Sequence, residues 1–230
     1  MIDLYYAPTP NGQKLKLFLE EAELPHRIVP IRLSRGEQFT PESLAISPNG
    51  KIPALVDHAP ADGGGAIPMF ESGAILLYLA EKACKLVPSA PRQRQVVLQW
   101  LFWQIGGLGA MAGQAGHFRV YAPEDVPYAV ERYTRETARL FGVLDRRLRD
   151  HTFIADDYSI ADIACYPWVV PHVGLGQNLR DYSHLDRWFE TIAARPATRR
   201  AYDGVEDVYA GGRKQLSDGE RRTLFGSSSK

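Results

Sequence analysis

Hydrophobic and polar positions follow two different rhythms along this chain. The first stretch alternates short apolar runs with helical periods. Ile2-Asp3-Leu4-Tyr5-Tyr6 is a β-branched and aromatic run closed by the turn material Ala7-Pro8-Thr9-Pro10. Leu15, Phe18, Leu19 and Ala22 then recur at i, i+3, i+4 and i+7, which predicts an amphipathic helix. Arg27 to Leu33 predicts a second strand, parallel to the first if that helix crosses between them. Pro41-Glu42-Ser43-Leu44 predicts a short helix with proline in its first turn. Pro53 to Asp57 and Ala66 to Phe70 predict two strands joined through Asp62-Gly63-Gly64-Gly65. Ser72 is the expected N-cap of a helix carrying Ile75, Leu76, Leu79 and Ala80. The order is β-α-β-α-β-β-α, expected over residues 1–84.

Beyond Leu86-Val87-Pro88-Ser89-Ala90-Pro91, a proline-marked linker, the strand signals vanish. Val96 to Phe102, Ala129 to Leu148, Ile160 to Val169 and Leu185 to Ala194 all carry helical periodicity, so residues 91–210 are expected to form an all-α bundle. Gly106-Gly107-Leu108-Gly109 is expected to bend or break the first long helix. Trp100, Phe102 and Trp103 put apolar bulk on more than one face of that helix, as in a buried or shared element. Residues 211–230 mix Gly, Ser, Lys and Arg and are expected to be a flexible tail, disordered at Ser227-Ser228-Ser229-Lys230.

Composition narrows the class of partner. The 230 residues are 45% hydrophobic, and Lys plus Arg balance Asp plus Glu at 27 each. A neutral chain leaves no electrostatic footprint for nucleic acid. No segment reads as a span of about 20 apolar residues, and MIDLYYAPTP lacks the layout of a secretory signal, so a cytoplasmic protein without a membrane partner is expected. The two cysteines, Cys84 and Cys165, form no CxxC pattern and are expected to be free and buried. His26, His58, His151, His172 and His184 are scattered without metal-ligand spacing, and no metal is expected.

Three short segments carry chemistry. Thr9-Pro10-Asn11-Gly12 opens a helix, where free N–H groups and the helix dipole favour an anion. Redox proteins of this βαβ type place a Cys-x-x-Cys there, and this chain has no cysteine at that spot. A Thr hydroxyl and an Asn amide can donate to a bound thiolate without competing as nucleophiles. Lys51-Ile52-Pro53-Ala54 holds an Ile-Pro bond that is a candidate cis peptide, an arrangement that would present the Ile52 backbone to an extended peptide ligand. Phe70-Glu71-Ser72-Gly73 offers Ser72 to a carboxylate and Glu71 to an ammonium. A ligand with a thiol, a peptide backbone and an amino-acid terminus has the chemistry of glutathione.

These segments, with Asn49-Gly50 before the Ile-Pro pair and Ala74 to Leu79 after Gly73, resemble the glutathione-transferase superfamily. Ser159-Ile160-Ala161-Asp162 resembles the capping box that starts a helix of its C-terminal domain, and the similarity runs through Arg195-Pro196-Ala197-Thr198. Tyr5 to Gly12, Leu98 to Gln104 and Pro127 to Tyr133 are most similar to the bacterial nu class, relatives of the yeast prion nitrogen regulator.

The resemblance implies a thioredoxin-like N-terminal domain followed by an all-helical C-terminal bundle, and a glutathione-dependent disulfide-bond reductase with peroxidase and weak transferase activity. It also implies a homodimer with glutathione or glutathione disulfide as ligand, and a disulfide or electrophilic small molecule as substrate. Thr9 and Asn11 would face the glutathione sulfur as the catalytic pair. Gln38 would meet the glycyl end, and Ile52 the cysteinyl backbone, flanked by Lys51 and Pro53. Glu71 and Ser72 would hold the γ-glutamyl end, and Arg132 would add a contact within or across subunits. Met111, His117, Phe118, Tyr121 and Trp168 are candidates for the wall of the second-substrate pocket. A conjugating transferase and a non-catalytic glutathione-binding regulator would share every one of these residues.

Overall fold

The computed structural model describes residues 1–226. β1 (Ile2–Tyr6), α1 (Pro10–Ala22) and β2 (His26–Pro30) form a βαβ unit whose strands pair in parallel, Leu4 opposite Ile28. After two 3-10 turns at Leu33–Arg35 and Glu37–Phe39 come α2 (Pro41–Ile46), β3 (Ala54–Asp57), β4 (Ile67–Phe70) and α3 (Ser72–Ala83). β3 runs antiparallel to both β1 and β4, and the four-stranded sheet has the order β2-β1-β3-β4. Leu4 and Leu55 from the sheet, Leu15, Phe18 and Leu19 from α1, and Ile75, Leu76 and Leu79 from α3 are fully buried and form the core of this half. These are the positions with helical and strand periodicity in the sequence.

α1 starts where its sequence dictates. Thr9 caps it by accepting the Gly12 N–H at 3.2 Å, and Pro10 fills the first turn, where a missing N–H costs nothing. Gly12 is required by space, because a Cβ there would lie 2.2 Å from the Ala7 carbonyl oxygen. α3 departs from expectation: its N-cap is Glu71, held at φ 69° and ψ 108°, and Ser72 is the first helical residue instead. Cys84 also departs, being exposed in the left-handed conformation that ends α3, whereas Cys165 is buried.

The helical half follows without a further regular strand among the described residues. α4 (Pro91–Trp103) continues through the π-helical turn Gln104–Gly109 into α5 (Ala110–Gly116) and a second π turn, His117–Tyr121. The glycine run therefore neither breaks nor interrupts the helix; it passes through it as a π insertion. Pro91–Tyr121 is, by length and composition, long and apolar enough to cross a membrane, in contrast to the expectation of no such segment, because the π turns join α4 and α5 into one continuous helix. Its buried residues, including Val97, Leu101, Leu108 and Ala112, belong to the same hydrophobic core as the other helices.

α6 (Pro127–Leu148), α7 (Ile160–Val169), α8 (Ser183–Ala193) and α9 (Pro196–Tyr202) complete the bundle. The Ser159–Asp162 capping box is formed at the start of α7, and the Asp162 carboxylate additionally accepts from Ile154 N at 2.9 Å and Trp188 Nε1 at 2.8 Å. α1 joins the halves: Glu21 is bonded twice by Arg195, at 2.5 and 2.9 Å, and Glu20 by Arg200 at 2.7 Å.

The stretch after residue 211 is not a free tail. Lys214 N donates to Val120 O at 2.8 Å, Arg213 pairs with Asp125 at 2.6 Å, and α10 (Asp218–Phe225) packs against the Leu33–Arg35 turn. Phe225 meets the His117 ring edge-on at 4.8 Å. The expected disorder at 227–230 lies outside the described residues.

Candidate active site at the domain junction

Two adjoining cavities of about 250 and 210 Å³ open at the N-terminus of α1 and share Asn11, Lys51 and Ile52. The first is lined by Pro53, Glu71 and Ser72 among others, the second by Thr9, Gln38 and Trp168. The loop before β3 and the first turn of α3 thus meet the first turn of α1 in one cleft. Ile52-Pro53 is a cis peptide, and Ser47 Oγ donates to Lys51 O at 2.8 Å, holding the loop that carries it.

Asn11 has a fixed orientation. Trp168, from α7, donates its indole N–H to Asn11 Oδ1 at 3.1 Å. An indole nitrogen can only donate, so it must face the amide oxygen, leaving the amide NH₂ available to the cleft. Two glycines make room for the ring: a Cβ on Gly113 would lie 3.3 Å from Trp168 Cη2, and one on Gly109 3.3 Å from its Nε1. The cleft-side donors are therefore the Asn11 amide and the Thr9 hydroxyl, which uses its oxygen as cap acceptor and keeps its proton free. Gln38 is buried, with Oε1 unpartnered in the protein.

No protein thiol lines either cavity. Burial pushes the Cys165 thiol well above its ordinary range, the wrong direction for a nucleophile. Tyr5 and Tyr6 line neither cavity, and burial raises the Tyr6 phenol to about 12. Among the described residues no group of three His, Cys, Asp or Glu side chains could hold a metal ion.

Of the residues singled out in the sequence, Thr9, Asn11, Gln38, Lys51, Ile52, Pro53, Glu71 and Ser72 all line the cleft. Arg132 does not: it is exposed on α6 and lines neither cavity. Trp168 is the one member of the expected second-substrate wall found there; Met111, His117, Phe118 and Tyr121 line neither cavity. Leu33, Tyr209 and Leu224 supply the apolar wall in their place. Leu224 lies in the 211–230 stretch, whose polar composition hid it, and Tyr209 lies just before that stretch, outside the helical periods of the bundle. The Leu-Phe pair ending an otherwise polar segment was the signal available.

The glutathione S-transferase N-terminal domain family matches residues 9–82, and the glutathione S-transferase C-terminal domain family matches residues 109–196. The disulfide-bond oxidoreductase YfcG of Escherichia coli is 55% identical over 202 residues, covering 87% of this chain and 94% of its own. A glutathione transferase from Burkholderia graminis, solved with two glutathione molecules bound per subunit, superposes with a TM-score of 0.83 at 40% identity, covering 88% of this chain and 87% of its own. One from Pseudomonas putida, solved with one glutathione disulfide per subunit, gives 0.81 at 40% identity, covering 87% and 90%.

Proposed function

The chain belongs to the glutathione S-transferase family, and from that membership we propose that it is a glutathione-dependent disulfide-bond reductase. The observation that carries this reading is the donor pair at the α1 N-terminus, oriented by Trp168, in a cleft that has no sulfur of its own. Glutathione lies with its sulfur at Thr9 and Asn11, its cysteinyl backbone along Ile52, its γ-glutamyl end at Glu71 and Ser72, and its glycyl end toward Gln38 and Lys51.

A free thiol near pKa 8.5 is mostly protonated at neutral pH. The Thr9 hydroxyl, the Asn11 amide and the unpaired N–H groups of the helix start stabilise its anion and increase the thiolate population. The thiolate attacks one sulfur of a disulfide; a glutathione–substrate S–S bond forms, the old S–S bond breaks, and the departing thiolate takes a proton. A second glutathione thiolate then attacks the glutathione sulfur of that mixed disulfide, releasing glutathione disulfide and the second substrate thiol. Two electrons leave two glutathiones and reduce one disulfide. The Burkholderia relative, with two glutathiones per subunit, and the Pseudomonas relative, with glutathione disulfide, support a cleft large enough for both partners of the second step.

The protein acts in the cytoplasm, a reading supported by two free cysteines, one of them exposed. It works as a homodimer, a reading supported by Phe102 standing 66% exposed on α4; Arg132, which lines neither cavity of its own subunit, is assigned to a contact across that dimer. Asn11→Ala is expected to lower kcat/KM for reduction of a small aliphatic disulfide about 10²-fold, and Thr9→Ala about tenfold, with the bound thiol's pKa rising in both. Full rate in both variants rejects the mechanism. Activity of the parent on an aryl halide far above that on the disulfide would assign conjugation instead.

A further inference from the structure

Lys14 sits on α1, one turn beyond Asn11, and its side chain is sealed beneath the cavity that Glu71 and Ser72 line. The residue is 1% exposed. Its ammonium donates to Gln104 Oε1 at 2.6 Å and to Ser72 Oγ at 3.3 Å. An ammonium carries three N–H donors, and the two in use meet neutral acceptors. The titratable groups that face it are the Cys165 thiol, from α7, and Glu71, at the start of α3; neither bonds to it. Burial outweighs both and brings the ammonium down to about 7.

A buried cation ordinarily sits against a carboxylate. Here the position left for one is the open cavity on the far side of Ser72. Ser72 transmits the charge with a direction: one lone pair of its oxygen is taken by Lys14, so its own proton points elsewhere, and the residue lines the cavity. Gln104 is built in just as deliberately. It opens the π turn of the long helix, and a Cβ on Gly109 would lie 2.6 Å from its Nε2, so glycine is what allows the amide to lie beside Lys14.

Building on the glutathione reading above, we propose that Lys14 is a positioning residue for the γ-glutamyl end: its buried charge, relayed through Ser72, draws in the ligand's α-carboxylate and couples that end of the site to Gln104 of the helical half. Once the carboxylate is bound, the cation has its counter-ion and holds its proton more tightly, so binding takes up a proton wherever free Lys14 is neutral.

The test is calorimetric titration of S-methylglutathione, whose blocked sulfur removes thiol ionisation, into parent, Lys14→Met and Gln104→Glu proteins between about pH 6 and pH 9. The ligand's own amine titrates identically in every variant, so differences between proteins isolate Lys14. Parent affinity is expected to fall several-fold more steeply with pH than that of Lys14→Met, which binds about tenfold more weakly at the acid end. In disulfide reduction the loss falls on KM for glutathione, and kcat changes less than about threefold. Gln104→Glu, which gives the ammonium a permanent partner, moves the midpoint of the fall to higher pH. Lys14→Met binding within about twofold of the parent, with the same slope, overturns the proposal. Should that variant not fold, an unshifted midpoint in Gln104→Glu overturns it equally. A parent that binds no S-methylglutathione rejects the glutathione reading itself, a separate outcome.

Discussion

Of the charged side chains buried inside this protein, Asp162 at the start of α7 and Lys14 in the first turns of α1 have surroundings that differ in kind. Asp162 is saturated: Ile154 N at 2.9 Å, Ser159 N at 3.0 Å, Ser159 Oγ at 3.2 Å and Trp188 Nε1 at 2.8 Å all donate to it. Burial still raises its carboxyl to about 6, with the four donors pulling the other way. Lys14 has two neutral acceptors, a donor to spare and a cavity beyond Ser72. A buried charge whose partners are all protein serves the fold. A buried charge left short of a counter-ion beside an open cavity is arranged for a ligand.

The most severe way to break that contrast is Asp162→Ala. It strands buried donors on three separate segments, the 150s loop, the helix start and the Trp188 ring of α8. A loss on the order of 3–5 kcal/mol is expected from urea unfolding. Glutathione affinity of the fraction still folded is expected to stay within about twofold of the parent, since no part of the Asp162 node lines the cleft. A binding defect without a stability defect would erase the distinction between the two charges.

The second test uses pH, and here stability and binding move in opposite directions. Lys14 has a folded-state pKa near 7 and an unfolded one near 10.5. Below about pH 7 both states hold the proton and the full cost of the buried charge is present. Between the two values the unfolded chain binds more protons than the folded one, so this group's contribution to stability rises with pH. Relative to Lys14→Met, the ligand-free parent is expected to gain on the order of 1–3 kcal/mol from pH 7 to pH 9, while its glutathione affinity falls. A difference in unfolding free energy that stays flat over that range contradicts a buried, titrating Lys14.

How much of this was legible in the sequence depends on how local the cause is. The α1 start was fully legible, because Thr9, Pro10 and Gly12 act on backbone groups within a few residues of themselves. The parallel β1–β2 pair followed from one helical crossover, whereas the antiparallel placement of β3 between β1 and β4 had no local signal. Glu71 as N-cap was not legible: no local rule places a glutamate at φ 69°, and the site geometry there depends on how β4 delivers the chain to α3. The C-terminal stretch was misread because its polar residues suggested a chain with nothing to bury. Arg213 finds Asp125 and two backbone carbonyls at Ala122 and Glu124, partners some ninety positions earlier that composition cannot reveal. Cys84 was misread for the opposite reason: cysteine is usually buried, yet the flanking Lys82 and Lys85 already marked the helix end as solvent-facing.

Trp168 lies 157 positions from Asn11, and no spacing rule joins them. The contact nevertheless gives the finest test of the comparison, because it asks whether a saturated structural bond can also serve the chemistry. Trp168→Phe removes the single donor that fixes the Asn11 amide and keeps most of the ring. Loss of one neutral hydrogen bond is worth about 1 kcal/mol, so kcat/KM for disulfide reduction is expected to fall about fivefold. The smaller ring also loosens packing beside Gly109 and Gly113, and that alone could lower the rate. The double-mutant cycle with Asn11→Ala separates the two causes. If Trp168 acts by aiming the amide, it has nothing left to aim once Asn11 is alanine, and the double variant is no slower than Asn11→Ala. If it acts by packing, the two losses multiply, and the cleft's chemistry then rests on Asn11 and Thr9 without help from the helical half.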